Sequence, residues 1–185
     1  DGARKLGSKI LVAGGGRCNV THDVVSADAY AGSSRNAIRK VLQRFDVAPT
    51  IAFFRQLGVE LKREETGKLF PVSDDAHTVL NALLGAARSA NVHFLYPCRV
   101  ESIRQNDGNF TLSGEWGELV AEQVVLATGG KSLPKSGSDG GGYALARSLG
   151  HTITPRLFPA LVPLTLPSDY FLCALSGLAT PATFS

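Results

Sequence analysis

The chain has 185 residues, of which 44% are hydrophobic and 19% are charged, and its formal net charge is +3. This composition excludes a disordered chain, while scattered lysines and arginines and the lack of a long apolar run or secretory signal argue against nucleic-acid and membrane partners. Three widely spaced cysteines, an odd number, predict a reducing, cytoplasmic setting rather than a disulfide framework.

The first predicted element is a short strand over the apolar residues 9–13, which runs directly into the glycines at 14–16. Glycine triplets lose much backbone entropy on folding, so we expect a sharp turn or a close approach to a ligand here. Both interpretations stay open. Arg17 either lies on the solvated surface or offers a planar fork to a phosphate or a flavin carbonyl. The dinucleotide fingerprint itself is not met, because Asn19 stands where its third glycine belongs.

A helical insertion is predicted next, over about 24–72. Apolar residues recur at helical spacing over 35–46, and a second helix begins at Pro49 and ends at Gly58. Residues 59–72 have the pattern of two short strands around a polar turn.

The longest predicted helix covers residues 74–90, with Ser73 as its N-cap and a continuous apolar face. A strand is predicted over 92–97. A β-meander follows over 99–122, and the Asp-Gly pair at 107–108 is a strong hairpin signal within it.

Residues 123–130 are apolar without alternation, as in a parallel strand that is covered on both faces. A glycine-rich loop and a helix over 143–150 follow, and this order is typical of phosphate and dinucleotide binding. A P-loop is disfavoured because Val125 occupies the position of its first glycine. Beyond Gly150 the chain becomes proline-rich, which predicts the start of another domain at 158–185.

Four segments carry a resemblance to a known family. They are GSKILVAGGGRCNVTH, GKLFPVSDDAHTVLNALL, VVLATGGKSLPKSGSDGGGYALARSLGH and FPALVPL, in that order. Together they closely resemble the bacterial FAD-binding flavoproteins that are aminoacetone-oxidase-like or bile-acid-reductase-like, the YhiN/BaiN group. The resemblance covers nearly the whole chain.

This resemblance implies an α/β fold. Residues 1–157 would form a partial doubly wound, Rossmann-like FAD-binding domain with the helical insertion and the β-meander, and 158–185 the start of a substrate-side domain. In the family a first strand and its GxGxxG turn bind the FAD pyrophosphate, and an acid at the end of the second strand binds the adenosine ribose. Asp1 has the spacing of that acid, so we expect the chain to be a fragment that lacks the first strand and turn.

The cofactor contacts are also implied by the resemblance. The GGGRCN loop would lie against the flavin, and the ATGG strand end would border FAD. The assigned residues are Asp1, Lys9, Gly14, Gly15, Gly16, Arg17, Cys18, Asn19, Val100, Thr128, Gly129 and Gly130. We expect Arg17 to stabilise the reduced flavin electrostatically and the Cys18 thiol to serve in packing. No catalytic residue is assigned, and the dispersed histidines indicate no metal site.

Three positions depart from the family pattern. The chain has Ser8 where an arginine is common, Leu133 where a tyrosine is common, and Gly141 where the motif Gly-Asp-Gly-Tyr has its aspartate. The last change removes a carboxylate beside the expected cofactor.

The sequence therefore predicts an FAD-dependent oxidoreductase, a reductase or oxidase of a small organic substrate, with NAD(P)H as a candidate electron donor. The substrate and the oligomeric state cannot be read from the residues. Two alternatives stay open: a nicotinamide-dependent dehydrogenase, and a non-catalytic FAD- or nucleotide-binding module, including one that acts on RNA. We expect the full-length protein to be the active form and the 185-residue chain alone to be inactive and to bind FAD poorly.

Overall fold

The computed structural model describes residues 1–30, 34–132, 134–157 and 167–175. Leu133 and most of the expected second domain at 158–185 lie outside the described residues. The α-helices of the described part are α1 (Ser8–Val12), α2 (Arg35–Leu42), α3 (Val47–Gln56), α4 (Ala76–Ser89) and α5 (Gly141–Ser148). Its strands are β1 (Thr21–His22), β2 (Leu61–Arg63), β3 (Lys68–Pro71), β4 (Ser102–Asn106), β5 (Asn109–Gly114) and β6 (Gly117–Ala121).

The strands of the described residues form two antiparallel three-stranded sheets. In the first sheet β3 is central, and its Leu69 pairs with Thr21 of β1 and with Arg63 of β2. The second sheet is the predicted meander, in which Leu112 of β5 faces Leu119 of β6. Because β1 follows the glycine loop and the other two strands belong to the insertion, the first sheet fixes the loop to the insertion.

The core lies between α4, α1 and the segment after the glycine loop. Val79 of α4 is buried with Cys18 and Val59, and apolar residues of α1 pack against them. Gly7 permits the close approach of α1 to α4, since a methyl group there would lie 2.3 Å from the Leu80 Cδ1 atom. The glycine loop thus begins from a helix that is packed on the core.

Several local predictions are confirmed. Asp107 and Gly108 have φ angles of 48° and 82°, as the two central residues of a tight hairpin turn require. Gly58 and Gly150 have φ angles of 79° and 86° and follow the ends of α3 and α5, where left-handed glycines end helices. These features depend on local chemistry, which the sequence carries directly.

The predicted N-cap of α4 is wrong by two residues. The carboxylate of Asp75 accepts a hydrogen bond from the His77 N–H at 2.9 Å, so Asp75 caps the helix. The Ser73 hydroxyl instead lies 2.7 Å from the hydroxyl of Thr78. Two candidate caps so close together cannot be ranked without the backbone path.

The strand expected over 9–13 is also wrong, because Ser8–Val12 form α1. Gly7 has a φ of 77° and its carbonyl accepts from the Leu11 N–H at 3.1 Å, which starts a helical turn. The structure has no strand at 92–97 or at 123–130, and Val125 is 88% exposed. A buried parallel strand needs hydrogen-bonded neighbours, and no described strand pairs with either segment.

Candidate functional site

The glycine loop adopts a run of left-handed conformations. Gly14, Gly15 and Gly16 have φ angles of 58°, 70° and 89°, and Cys18 has 62°. A methyl group on Gly14 would lie 2.6 Å from the Phe70 ring and 2.9 Å from the backbone nitrogen of Asn19, whereas one on Gly15 would meet nothing within 4 Å. The two interpretations of the triplet therefore apply to different residues. Gly14 is required by packing, and Gly15 leaves exposed backbone that a ligand can approach.

Arg17 is held from several sides. Its Nη1 lies 2.5 Å from Glu64 Oε1 and 3.5 Å from Asp74 Oδ1. Its guanidinium carbon lies 4.0 Å from the centre of the Phe70 ring, within the range of a cation–π contact. The side chain is nevertheless 38% exposed. Arg17 is therefore anchored to the insertion while part of it faces solvent.

The charges around Arg17 stabilise one another. The hydrogen bond to Glu64 raises the pKa of Arg17 further above its usual range, so the group stays a cation. The hydrogen bond from Lys62 is the largest of several causes that lower the pKa of the Asp74 carboxyl, and the charge of Arg17 adds to it. Arg17 and Asp74 are consequently both ionised at neutral pH.

Cys18 is a core residue. It is 7% exposed, and its backbone N–H donates to the Ala13 carbonyl at 2.9 Å. Burial raises the pKa of its thiol, which disfavours the reactive thiolate. This environment agrees with the packing role expected from the sequence. The neighbouring Asn19 is exposed on the surface of the loop.

Asp1 lies beside the backbone segment that leads to Val100. The Asp1 carbonyl accepts from the Cys98 N–H at 2.7 Å, so the first residues lie beside the segment that leads to Val100. The exposed Asp1 carboxylate accepts from the Ala3 N–H at 2.8 Å. A carboxylate in this state retains acceptor positions for a hydroxyl-bearing ligand.

Arg99 joins this edge to the glycine-rich loop before α5. Its guanidinium donates to Asp139 Oδ2 at 2.8 Å, while its carbonyl accepts from the Trp116 indole N–H at 2.6 Å. The other Asp139 oxygen accepts from the Gly141 N–H at 2.9 Å. That backbone hydrogen bond is the largest cause of the lowered pKa of Asp139, and the hydrogen bond from Arg99 is the next. Asp139 thus places a carboxylate next to Gly141, where the family pattern has its own.

The ATGG segment packs against the same loop and helix. A methyl group on Gly142 would lie 1.9 Å from the Thr128 hydroxyl oxygen, and one on Gly129 would lie 3.1 Å from the Ser138 hydroxyl oxygen. The space beside Gly130 is wider, with the Tyr143 hydroxyl at 3.5 Å. Residues 128–130 are therefore seated on α5 and its preceding loop.

Lys9 connects the two halves of the predicted site. Its ammonium group donates to the Ser132 hydroxyl at 3.0 Å, which ties α1 to the end of the ATGG segment. The structure thus gathers Asp1, Val100 and residues 128–130 around Arg99 and α5, with Lys9 beside them. It places residues 14–19 at the other end of α1, against the insertion.

Comparison with known proteins identifies the family. Residues 1–180 match the family described as HI0933-like protein Rossmann domain. The chain belongs to this family. Its Rossmann domain is a nucleotide-binding fold, which agrees with the α/β class and the family resemblance that the motifs predicted.

The curated relatives of this HI0933-like chain are named for two different activities. The chain is 39% identical over 177 residues to the 3-dehydro-bile acid delta(4,6)-reductase of Clostridium scindens. This alignment covers 96% of the chain and 42% of the reductase. It is 32% identical over 187 residues to the ribosomal RNA dihydrouridine synthase of Escherichia coli, and 30% identical over 190 residues to that of Haemophilus influenzae. Those alignments cover all of this chain and 46% and 47% of the two synthases, so the chain spans less than half the length of these relatives.

Sequence reasoning identified the glycine loop, Arg17 and the ATGG segment, but it missed the charged partners. Glu64, Asp74, Arg99 and Asp139 lie in polar segments far along the chain from the groups that they hold. A carboxylate in a polar loop has no local sequence signature, so these residues can be identified as partners only from the folded structure. The described residues contain no cluster of three metal-ligating side chains, and no described helix is long and apolar enough to span a membrane.

Proposed function

We propose that the full-length protein is an FAD-dependent oxidoreductase that works as a reductase. The observation that carries the proposal is the exposed, left-handed backbone at Gly15 beside the anchored cation Arg17, in a domain of the HI0933-like family. A planar flavin needs close backbone approach and a nearby positive charge, because its reduced ring is anionic. Bound FAD would supply the redox chemistry itself.

The remaining site residues fit the adenosine side of FAD. The exposed Asp1 carboxylate suits a ribose hydroxyl, as acidic residues do in Rossmann domains. Val100 and residues 128–130 adjoin the same region through Arg99 and α5. Lys9 would add a positive charge for a phosphate, although its ammonium group donates to Ser132 here.

The direction of the reaction is proposed from the relatives. One is named a reductase of a 3-dehydro-bile acid, and two are named synthases of dihydrouridine in ribosomal RNA. Both names describe hydrogen addition to an unsaturated organic group. We infer that this chain takes part in the reduction of an electron-poor carbon–carbon double bond, with NAD(P)H as the electron donor.

The test is anaerobic half-reaction kinetics on the purified full-length protein. NADPH or NADH should bleach the flavin band, and a conjugated enone should restore it, whereas the matching saturated ketone should not. A flavin that neither nicotinamide reduces would contradict the proposed donor. Restoration by the ketone as fast as by the enone would contradict double-bond reduction.

We keep a free small molecule as the preferred substrate, but one observation favours RNA as a second candidate. Residues 35–45 contain four basic side chains and no acidic one, and most of the segment is exposed. Phe45 is 56% exposed and packs edge-to-face on Phe53 with ring centres 6.3 Å apart, so its ring offers a stacking surface for bases. A shallow pocket of about 260 Å³ beside α2 is lined partly by Arg39 and Gln43.

Salt-dependent binding separates the two substrates. If RNA is the substrate, the full-length protein should bind a ribosomal RNA transcript with an affinity that falls steeply with salt, and Lys40→Gln with Arg44→Gln should weaken it. If the substrate is small, the double variant should reduce the enone as the wild type does and neither protein should bind the transcript. Val41→Gln, on the same exposed surface without a charge change, is the control.

A further inference from the structure

Four charged side chains meet beside the glycine loop. Arg17 comes from the loop, Lys62 and Glu64 from the β2 hairpin of the insertion, and Asp74 from the residues before α4. Asp74 uses one oxygen for Arg17 at 3.5 Å and the other for the Lys62 ammonium. The cluster therefore joins three parts of the chain, and its formal charges sum to zero.

The hydrogen-bonding and ionic contacts of Arg17 all involve one nitrogen of its guanidinium, Nη1. Glu64 and Asp74 both contact Nη1, and the buried Phe70 ring lies against the guanidinium carbon. Among the described residues no hydrogen bond is made by the Nε–Nη2 edge of the fork. This edge presents two parallel donors to a ligand with two acceptor atoms, as a flavin carbonyl and its neighbouring nitrogen provide.

The backbone conformation of Asp74 also indicates that its side chain is held in place. Its φ of 53° lies in the left-handed region that favours glycine. In this backbone conformation both carboxylate oxygens of Asp74 are bound, one by Arg17 and the other by Lys62. Backbone strain of this kind is common where a side chain must be fixed for function.

We propose that Glu64 and Asp74 are positioning residues that fix Arg17 with its free edge toward the flavin and temper its positive charge there. The inference rests on the proposed function, since it requires bound FAD. Reduction adds negative charge to the flavin, so the net charge of this cluster sets how strongly the reduced form is favoured. Removal of a carboxylate leaves the cluster at a net charge of about +1, and removal of Arg17 leaves it at about −1.

The test measures the two-electron reduction potential of FAD in the full-length protein. Glu64→Gln should raise the potential by about 30 mV, which is about tenfold in the reduction equilibrium. Arg17→Gln should lower the potential, and the double variant Arg17→Gln with Glu64→Gln should have a potential close to that of the wild type. Asp74→Asn should also raise the potential, and it replaces Glu64→Gln in the test if that variant fails to fold. Glu65→Gln, an exposed neighbour outside the cluster, should leave the potential unchanged.

The outcomes distinguish this inference from the function on which it rests. If Glu64→Gln and Asp74→Asn lower the melting temperature but match Glu65→Gln in potential, the cluster is a structural tie and the inference is overturned. Equal shifts in all three carboxylate variants would also overturn it, because the effect would then be one of overall charge. A wild-type protein that cannot be loaded with FAD would overturn the proposed function itself, and the inference with it.

Discussion

Gly142 and Thr128 are in such close contact that a methyl group on the glycine would lie 1.9 Å from the threonine hydroxyl oxygen. The contact seats the ATGG segment on α5 without any strand pairing at 123–130. The first turn of α5 is thus tightly packed at Gly142 and has more tolerant neighbours at the preceding residue, Gly141.

Gly142→Ala should destabilise the protein by about 1–3 kcal/mol, as overpacking does. Gly141→Ala is the matched control, because its nearest neighbours are the flexible end of Arg99 at 3.0 Å and the Asp139 carboxylate at 3.2 Å. Chemical unfolding of both full-length variants measures the difference. Equal losses would show that the Thr128 contact yields easily.

The glycine loop permits a second pairwise test. Gly14→Ala should cost about 2–4 kcal/mol, because it combines a left-handed alanine with overpacking against Phe70. Gly15→Ala should cost only about 1–2 kcal/mol, since its methyl group meets nothing and only the backbone angle is unfavourable. If the flavin approaches Gly15, that milder variant should nevertheless weaken FAD binding. Unfolding and FAD titration read out the two effects, and intact FAD affinity in Gly15→Ala would place the cofactor elsewhere.

Cys18 should behave as a packing residue. Burial raises the pKa of its thiol, so near neutral pH it should react with maleimide far more slowly than the exposed Cys173. Cys18→Ser should retain FAD binding and most turnover, with a loss of about 1–2 kcal/mol in stability. Mass spectrometry of the labelled protein gives the order of reaction. Rapid Cys18 labelling, or a thiol–flavin charge-transfer band, would indicate a functional thiol.

Asp139 should contribute to the loss of stability in acid. Its pKa is lowered in the folded state, mainly by the Gly141 N–H and then by Arg99. The stabilisation is therefore present above the unfolded pKa of about 4 and is lost as the pH falls through the lower folded value. Asp139→Asn should flatten the decline in melting temperature below about pH 4. An unchanged acid slope would mean that the hydrogen bonds from Gly141 and Arg99 do not lower the pKa of Asp139 in the folded protein.

The sequence predicted the elements that local chemistry determines. The hairpin turn at 107–108 and the glycines after α3 and α5 have strong local signals, and they lie where expected. The runs at 9–13 and 123–130 are short and apolar, a pattern that does not distinguish a helix from a strand. Their conformation depends on neighbours that are distant in sequence, so α1 and the unpaired ATGG segment could not be read from the residues.

The candidate site divides in the same way. The glycines at 14–16 and Arg17 could be singled out from the sequence, because a glycine run costs backbone entropy and an adjacent arginine offers a planar cationic fork. Glu64, Asp74 and Asp139 are ordinary acidic residues in polar loops until the fold places them 2.5–3.5 Å from their arginines. Their positions therefore follow from the tertiary structure alone.

The most direct test of the proposed function is the uptake of FAD and of FMN by the purified, flavin-free full-length protein. We expect stoichiometric FAD, and Asp1→Ala should weaken FAD binding much more than FMN binding, because a ribose partner for that carboxylate exists only in the adenosine half. A protein that binds FMN as tightly as FAD, or that takes up no flavin at all, would contradict the proposed function.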